Sequence, residues 1–351
     1  MQSESLFLAN KRLNELEINS NKLVLESMPQ RLLLVPTSKC NLRCIMCSRV
    51  GSDSTLPLHA IKKIFPLFPY LETIDIQGGE PFLVDYFEEL LLGFAAFPHA
   101  RISLLTNGLL IDRKWADLLI RNNMHLSFSI DSVVQETYEH IRRGARFADL
   151  LKSLDLISEL KQGRGVKSPL QKINVVVMKS NYKELSLFPQ FCKRYGFPEL
   201  TFDYLRPDIA ASEDIFTIGY DPSVLCFLNG ILPEIKANCK DLGIEFNFDG
   251  LLPFLNHDPN KKNHIRSGAI QNKICRLPWK KLFIDSDGTI RPDCLCNQAV
   301  CNLIDIDTIF DTWNNEIMQA YRKKISVGAM DNWCSDACQM DAVAPQYREG
   351  N

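Results

Sequence analysis

The sequence predicts an α/β chain built on a partial (β/α)6 parallel barrel, followed by a small C-terminal α+β domain. Three observations predict this fold class: apolar runs alternate with amphipathic segments over residues 31–205, several runs are apolar at consecutive positions, and the pattern changes beyond residue 206. Consecutive apolar positions are typical of strands covered on both faces, as in a parallel sheet. A Rossmann-like sheet fits the alternation nearly as well, because periodicity alone does not separate the two.

Six strands and four helices are predicted to alternate in the core. The strands are residues 31–37, 73–77, 102–106, 125–130, 172–179 and 200–205, and the helices are 85–97, 112–122, 148–161 and 183–195. Pro189 is expected to kink or interrupt the last helix.

The chain is predicted to have four parts: an N-terminal extension at 1–30, the core at 31–215, a connecting segment at 216–270 and a C-terminal domain at 271–351. In the connecting segment, residues 222–243 predict one helix broken near Pro233, and 244–248 predict a short strand. Residues 256–273 are polar and predict a linker or lid. In the C-terminal domain, residues 283–290 predict a β-hairpin with an Asp-Gly turn, and 307–324 an amphipathic helix.

Composition narrows the class of protein. The chain has 351 residues, of which 46% are hydrophobic, and a formal net charge of −2. This balance argues against nucleic acid or an anionic membrane as the main partner. The polar N-terminus lacks the pattern of a signal peptide and no apolar run approaches a membrane span, so the expected compartment is the cytoplasm. Twelve cysteines in a reducing compartment indicate metal binding before disulfides.

The first cysteine cluster, Cys40-x3-Cys44-x2-Cys47, follows the first predicted strand. A structural zinc ion requires four protein ligands, and this segment offers three. An iron–sulfur cubane held by three thiolates leaves one iron open to a small molecule. A zinc loop or a ferredoxin-type electron carrier is the alternative.

Polar or glycine-containing motifs follow three further strands, where parallel folds gather their active sites. They are Gly78-Gly79-Glu80-Pro81, Thr106-Asn107-Gly108, and Ser129 with Asp131. A backbone that approaches a ligand closely favours glycine, because it tolerates no side chain.

Together the cysteine cluster, the Gly78–Pro81 turn and the Ser129–Asp131 strand end resemble the radical S-adenosylmethionine (SAM) superfamily over residues 31–205. The resemblance implies a [4Fe–4S] cluster on Cys40, Cys44 and Cys47 whose open iron binds SAM. It implies that SAM is reductively cleaved to a 5′-deoxyadenosyl radical, with a reductant such as flavodoxin or ferredoxin. The cofactor-binding residues that it implies are Met46, Gly78, Gly79, Glu80, Asn107, Ser129, Asp131 and Arg142, with Arg143 as the alternative to Arg142 for the SAM carboxylate.

The late cysteines, with the Cys275-x2-Pro-Trp opening and the Asp-Gly hairpin, resemble the auxiliary-cluster modules called SPASM and twitch. The resemblance implies one auxiliary [4Fe–4S] cluster bound by Cys275, Cys294, Cys334 and Cys338. Five residues separate Gly288 from Cys294 where the family usually has four, and Cys296 is close enough to compete. Zinc on the same ligands is the alternative. Cys296 and Cys301 are otherwise expected to be buried free thiols, or a hydrogen-atom donor to substrate.

Three functions are compatible with these motifs. The favoured one is an oxidoreductase or epimerase acting on a small sugar-like or aminocyclitol substrate. The second is a maturase of a ribosomally made peptide, although only about thirty residues precede the first strand, which predicts too little chain for a leader-peptide-binding domain. The third, a non-enzymatic electron carrier, has no use for the Gly78–Pro81 turn or for an open iron.

Overall fold

A computed structural model describes residues 2–166, 171–205, 210–217, 221–255, 275–327 and 332–334. All six core strands predicted from the sequence are present, and β1 ends early because Pro36 has no N–H to continue the ladder. In chain order the strands are β1 Arg31–Leu34, β2 Thr73–Ile76, β3 Arg101–Thr106, β4 His125–Ser129, β5 Gln171–Val177, β6 Glu199–Tyr204, β7 Glu245–Asn247, β8 Lys281–Ile284, β9 Thr289–Arg291 and β10 Cys301–Asn302.

The four core helices predicted from the sequence are also present, and the last begins as a 3-10 turn before Pro189. The α-helices are α1 Gln2–Asn19, α2 Leu58–Lys62, α3 Phe87–Ala95, α4 Arg113–Arg121, α5 Gln135–Ile141, α6 Phe147–Arg164, α7 Phe188–Tyr195, α8 Pro222–Asp241, α9 Leu252–Leu255, α10 Leu277–Lys280, α11 Phe310–Trp313 and α12 Glu316–Ser326. The 3-10 helices are Phe65–Tyr70, Pro81–Leu83, Tyr182–Leu187 and Asp249–Leu251. Among the described residues no helix is both long and apolar enough to cross a bilayer.

Three helix predictions differ from the structure. The N-terminal extension begins with a helix, α1, which the sequence analysis did not predict. Helix α8 is unbroken, although Pro233 lies within it. Pro233 has no N–H to donate to the carbonyl of Asn229, one turn earlier in the helix. Both residues are exposed, so water can donate to that carbonyl instead. The single helix predicted at 307–324 is two helices, because the side chain of Asn315 accepts a hydrogen bond from Met318 N (2.9 Å) and caps α12. The linker or lid predicted at 256–273 lies outside the described residues.

Contacts divide the chain into two compact units. The first contains residues 1–39, 52–103 and 264–343, and the second contains 40–51, 104–263 and 344–351. The division passes through β3.

The sheet of the first unit is built around β1, whose Leu32 and Leu34 are fully buried. Strand β1 pairs in parallel with β2 on one side and with β8 on the other. Strands β8 and β9 form the predicted antiparallel hairpin, and β10 pairs antiparallel with β9. A strand from the predicted C-terminal domain therefore extends the sheet that begins with β1.

In the second unit, β4, β5, β6 and β7 pair in parallel in that order. Strand β5 is covered unequally on its two faces, because buried and half-buried positions alternate along it. Val175 and Val177 are fully buried, whereas Val176 on the opposite face is half-buried. Val176 packs with Met46 against a cluster that includes Ile141.

The N-terminal segment of the first unit is bonded to its C-terminal elements. Two tryptophan indoles donate to it: Trp279 Nε1 to Lys22 O (2.8 Å) and Trp313 Nε1 to Ser27 O (2.7 Å). In return, Asn14 Nδ2 donates to Trp279 O (2.6 Å). Because the two indoles are almost completely buried, these bonds satisfy donors that have no access to water.

Arg322 is a buried cation held mainly by carbonyl groups. It donates to Leu23 O (2.7 Å), Pro278 O (3.0 Å) and Trp313 O (2.7 Å), and its guanidinium lies 4.8 Å from the centre of a Trp313 ring. The guanidinium is fully buried, and burying its charge is unfavourable. The hydrogen bonds to these carbonyls and the contact with the Trp313 ring offset that cost.

Candidate functional site

The loop that carries Cys40, Cys44 and Cys47 belongs to the second unit and is fixed by backbone hydrogen bonds. Arg43 N donates to Arg143 O (2.9 Å), and Ile45 N donates to Ile141 O (3.0 Å). These two bonds join the loop to the last residue of α5 and to the residues that follow it. The loop conformation is therefore set by neighbouring chain as well as by its own residues.

Each of the three sulfurs faces a hydrogen-bond donor. Such donors favour the anionic thiolate, which is the form that binds iron. The contacts are Leu42 N to Cys40 Sγ (3.4 Å), Arg49 N to Cys47 Sγ (3.4 Å) and an Arg142 guanidinium nitrogen to Cys44 Sγ (3.9 Å). Burial raises the pKa of Cys44 to about 11, and Arg142 opposes that rise. Among the described residues no three His, Cys, Asp or Glu side chains could share one metal ion, but a cubane distributes its thiolates over separate irons.

Asp131 and Arg142, both predicted to contact SAM, form a buried ion pair in the second unit. Their nearest oxygen and nitrogen are 2.6 Å apart, and the exposed fractions of the two residues are 0% and 7%. Burial raises the pKa of Asp131, while Arg142 and a hydrogen bond from Val176 N oppose the rise. Burial acts to lower the pKa of Arg142, but Asp131 and Cys44 raise it, so the guanidinium stays charged.

One donor of this pair is available to a ligand. The Nε of Arg142 is buried and makes no hydrogen bond to any residue that the structure describes. A buried donor without an acceptor is unfavourable, and an acceptor group on a bound molecule would satisfy it. The three donor-facing thiols and this nitrogen therefore fit an iron–sulfur cluster with a bound ligand.

Three other predicted residues lie in the second unit. Asn107, which follows β3, donates to Asn41 Oδ1 (2.8 Å), and its Nδ2 lies 3.9 Å from Cys40 Sγ. Ser129 is half-buried at the end of β4. The side chain of Met46 packs into the apolar cluster around Ile141. Asn107 thereby lies beside a cysteine of the loop.

The Gly78–Glu80 turn lies in the first unit and packs against the chain that leaves β1. Gly79 N donates to Thr37 O (2.9 Å), and Glu80 N donates to Lys39 O (2.8 Å). Gly78 has a φ of +138°, and a Cβ there would lie 2.5 Å from Thr37 O. Glycine is thus required at both positions because the backbone of residues 37–39 lies too close for a side chain. The sequence predicted that a ligand would require them.

A chain of hydroxyls beside this turn was not predicted from the sequence. Ser38 Oγ lies 3.0 Å from Ser54 Oγ, which lies 2.6 Å from Ser286 Oγ in the β8–β9 turn. Ser38 and Ser286 are buried, so the network fixes the residues that precede the cysteine loop to the C-terminal hairpin. Single serines spaced far apart in a sequence give no signal for such a network.

The late cysteines belong to the first unit. Cys275, Cys296 and Cys334 are half-buried, and Cys294 is exposed. Cys301 Sγ lies 3.3 Å from Thr312 Oγ1, as a half-buried thiol paired with a hydroxyl. Cys338 lies outside the described residues. Beside Cys294, Lys281 and Asp293 form a buried ion pair with 2.5 Å between nitrogen and oxygen.

The cysteine loop, Asp131 and Arg142 lie within a segment that matches a known family. Residues 34–185 match the family model of the radical SAM superfamily. The chain is 29% identical to GTP 3′,8-cyclase of Synechocystis sp. over 59% of its own length and 61% of that protein. It is 28% identical to GTP 3′,8-cyclase of Listeria welshimeri over 73% and 80% of the two chains. Relative to the cyclases of Synechocystis sp. and Synechococcus elongatus, the match spans only 61% and 51% of the curated protein.

Two solved structures share the fold. SuiB of Streptococcus suis bound to the precursor peptide SuiA has a TM-score of 0.65 at 19% identity, over 89% of this chain and 70% of that chain. Native anSMEcpe with bound AdoMet and the Cp18Cys peptide has a TM-score of 0.61 at 21% identity, over 86% and 84%. The predicted α/β fold class is confirmed by this likeness and by the parallel pairing of the core strands.

Proposed function

We propose that this chain is a radical SAM enzyme, which cleaves SAM reductively and abstracts a hydrogen atom from a substrate. The observation that carries the proposal is the Cys40-x3-Cys44-x2-Cys47 loop, in which every sulfur faces an N–H or guanidinium donor. When bound, the cluster and SAM supply one electron and the carbon-centred radical that removes hydrogen.

The residues around the loop hold and balance charge. Three thiolates would each bind one iron of the cluster. Backbone amides of Leu42 and Arg49 would stabilise two of these thiolates, those of Cys40 and Cys47. The guanidinium of Arg142 stabilises the third thiolate and the carboxylate of Asp131 together. Asp131 is fully buried, and burial of an unpaired carboxylate would be unfavourable. The positive charge of Arg142 offsets that cost.

The contacts with SAM are proposed from the family resemblance. The Gly78–Glu80 turn would contact the SAM amino group, with Glu80 as the partner of its positive charge. Glu80 is fully buried, which suits a charged partner that is shielded from water. For the carboxylate, the free Nε of Arg142 supports that residue over the exposed Arg143. Met46, Asn107, Ser129 and Asp131 complete the proposed set.

A second cluster in the C-terminal segment is part of the proposal. Two of the late cysteines, Cys296 and Cys334, lie opposite each other in a β-bridge, and Cys275 is half-buried as they are. One auxiliary [4Fe–4S] cluster would bring the iron content to about eight per chain, whereas a zinc site would leave about four. The reductant would be an electron carrier such as flavodoxin or ferredoxin.

The favoured substrate class is a small sugar-like or aminocyclitol molecule. The curated relatives are named for the cyclisation of GTP, so they support a small-molecule substrate in general and not that class in particular. The peptides in the titles of the SuiB and anSMEcpe structures name the alternative class. Substrate-dependent formation of 5′-deoxyadenosine, compared between GTP, aminocyclitols and short peptides, distinguishes the two.

The core proposal is tested by anaerobic reconstitution with iron and sulfide, followed by an assay of 5′-deoxyadenosine from SAM with a strong reductant. We expect product from the wild type and from Cys226→Ala, whose exposed thiol on α8 is the control. Cys44→Ala should give none. Equal cleavage by Cys44→Ala and wild type would refute the assignment, and a wild type that binds iron without forming product would indicate an electron carrier.

A further inference from the structure

We propose that Cys296, and not Cys294, binds the auxiliary cluster together with Cys275 and Cys334. The proposal rests on the auxiliary cluster of the proposed function and names the residues that hold it. The family resemblance implied Cys294 as the ligand. The structure instead pairs Cys296 with Cys334. Cys338 stays a sequence prediction for the fourth ligand.

Backbone pairing brings Cys296 and Cys334 together. The two residues lie opposite each other in an isolated antiparallel bridge. Asn297 reinforces the pairing, because its N donates to Trp333 O (2.9 Å) and its Nδ2 donates to Cys334 O (3.0 Å). Residues directly opposite in an antiparallel pair point to the same face, with Cβ atoms about 4.5–5.5 Å apart. The two thiols are therefore neighbours on one face.

Cys275 is kept as the third ligand from the family resemblance. Its thiol is half-buried, as are those of Cys296 and Cys334. The three cysteines come from separate parts of the first unit: the start of the C-terminal segment, the residues after β9, and residues 332–334.

A buried aromatic ring supports the pairing. Tyr321 on α12 is fully buried, and its hydroxyl donates to Gln298 O (2.7 Å). The same ring meets Trp333 edge to face, with 4.5 Å between ring centres. Tyr321 thereby contacts the chain on both sides of the Cys296–Cys334 bridge, and holds the two thiols in register before any cluster binds.

Cys294 is directed elsewhere by a turn. Cys296 N donates to Asp293 O (3.1 Å), which closes a turn with Cys294 at its exposed corner. The sulfur of Cys294 lies 3.4 Å from Asp293 Oδ1, and that carboxylate is paired with Lys281. A two-residue spacing would place Cys294 and Cys296 on one face of a strand, but the turn separates them.

The test compares Cys294→Ser with Cys296→Ser in the full-length chain after anaerobic reconstitution, with iron and sulfide counted per chain. We expect about eight irons for the wild type and for Cys294→Ser, and about four for Cys296→Ser. Loss of iron in Cys294→Ser, or about eight irons in Cys296→Ser, would overturn the proposal. About four irons in the wild type would overturn both this proposal and the auxiliary cluster itself. The proposed SAM cleavage would still be tested separately, by the formation of 5′-deoxyadenosine.

Alkylation of the wild type gives a second measurement that needs no substitution. In the reconstituted protein, iodoacetamide should modify Cys294 and the control Cys226, while Cys275, Cys296 and Cys334 are protected. Removal of the cluster with a chelator under denaturing conditions should expose all five to modification. Protection of Cys294 with modification of Cys296 in the reconstituted protein would overturn the proposal.

Discussion

The carboxylate of Asp131 lies 2.6 Å from the guanidinium of Arg142, and both groups are buried. The same guanidinium lies 3.9 Å from Cys44 Sγ. The guanidinium of Arg142 therefore contacts both the carboxylate that follows β4 and the sulfur of a proposed iron ligand. Since a buried ion pair is costly to break, its partners are coupled in stability as well as in their proposed roles.

Arg142→Gln is expected to destabilise the protein without cluster by about 3–5 kcal/mol, because it leaves the Asp131 carboxylate buried and unpaired. Urea unfolding measures the loss. The exposed neighbour Arg143→Gln is the control and should cost no more than about 0.5 kcal/mol. The double variant Asp131→Asn with Arg142→Gln should recover part of the loss. Equal destabilisation by the two single variants would contradict the burial argument.

Gly79→Ala should prevent the Gly78–Glu80 turn from packing, because a Cβ at residue 79 would overlap the Lys39 carbonyl. We expect a loss of at least about 1–3 kcal/mol of unfolding free energy and weaker SAM binding by equilibrium dialysis. Gly163→Ala is the matched control, since its Cβ would meet nothing within 4 Å in α6. That control should be neutral or stabilising by up to about 1 kcal/mol. Normal SAM binding by Gly79→Ala would show that the turn is not needed.

Glu17→Gln should alter how stability depends on pH. Although burial raises the pKa of Glu17, hydrogen bonds from Ser27, Glu26 and Lys22 outweigh it and hold that pKa below its usual value. A carboxyl with a depressed folded pKa contributes fully above its unfolded pKa and loses that contribution as pH falls through the folded pKa. The wild type should therefore exceed Glu17→Gln by about 1–3 kcal/mol at pH 7, and the gap should shrink below pH 4.5. A gap that widens in acid would contradict the prediction.

Arg322→Gln should weaken the attachment of the N-terminal segment, because three backbone carbonyls lose a charged donor. A loss of about 2–5 kcal/mol is expected in thermal or urea unfolding. Lys323→Gln, one residue further along α12 and exposed, is the control and should change stability by less than about 0.5 kcal/mol. Early proteolysis within α1 of Arg322→Gln, but not of Lys323→Gln, would support the stated cause.

The core strands and helices could be predicted because their signal is local. Each strand is a short apolar run, and each helix repeats apolar positions at the spacing of its turns. The cysteine loop was equally visible, since its three ligands lie within eight residues. The radical SAM resemblance is confirmed by the family match at residues 34–185.

Other features depend on partners far away in the sequence. The extent of α1 could not be anticipated, because its buried Asn14 donates to the carbonyl of Trp279, a residue 265 positions later in the chain. At Gly78 and Gly79 the sequence predicted only approach to a ligand, whereas the structure shows that a Cβ at either would also meet backbone atoms of residues 37–39. The choice between Cys294 and Cys296 depends on a turn and on a bridge to Cys334, which no spacing rule contains.

The bonds between the N-terminal segment and Arg322 also set an order of folding. Leu23 O and the Arg322 guanidinium are 299 positions apart in the chain. At 5–20 residues per second, the ribosome needs roughly 15–60 seconds to make the second partner after the first. The continuous stretch 104–263 can fold as it emerges, whereas the first unit must wait with Trp279 and Trp313 still unmade. Nascent α1 therefore stays without these partners until the C-terminal elements are made, and slowing translation after residue 263 should prolong that interval.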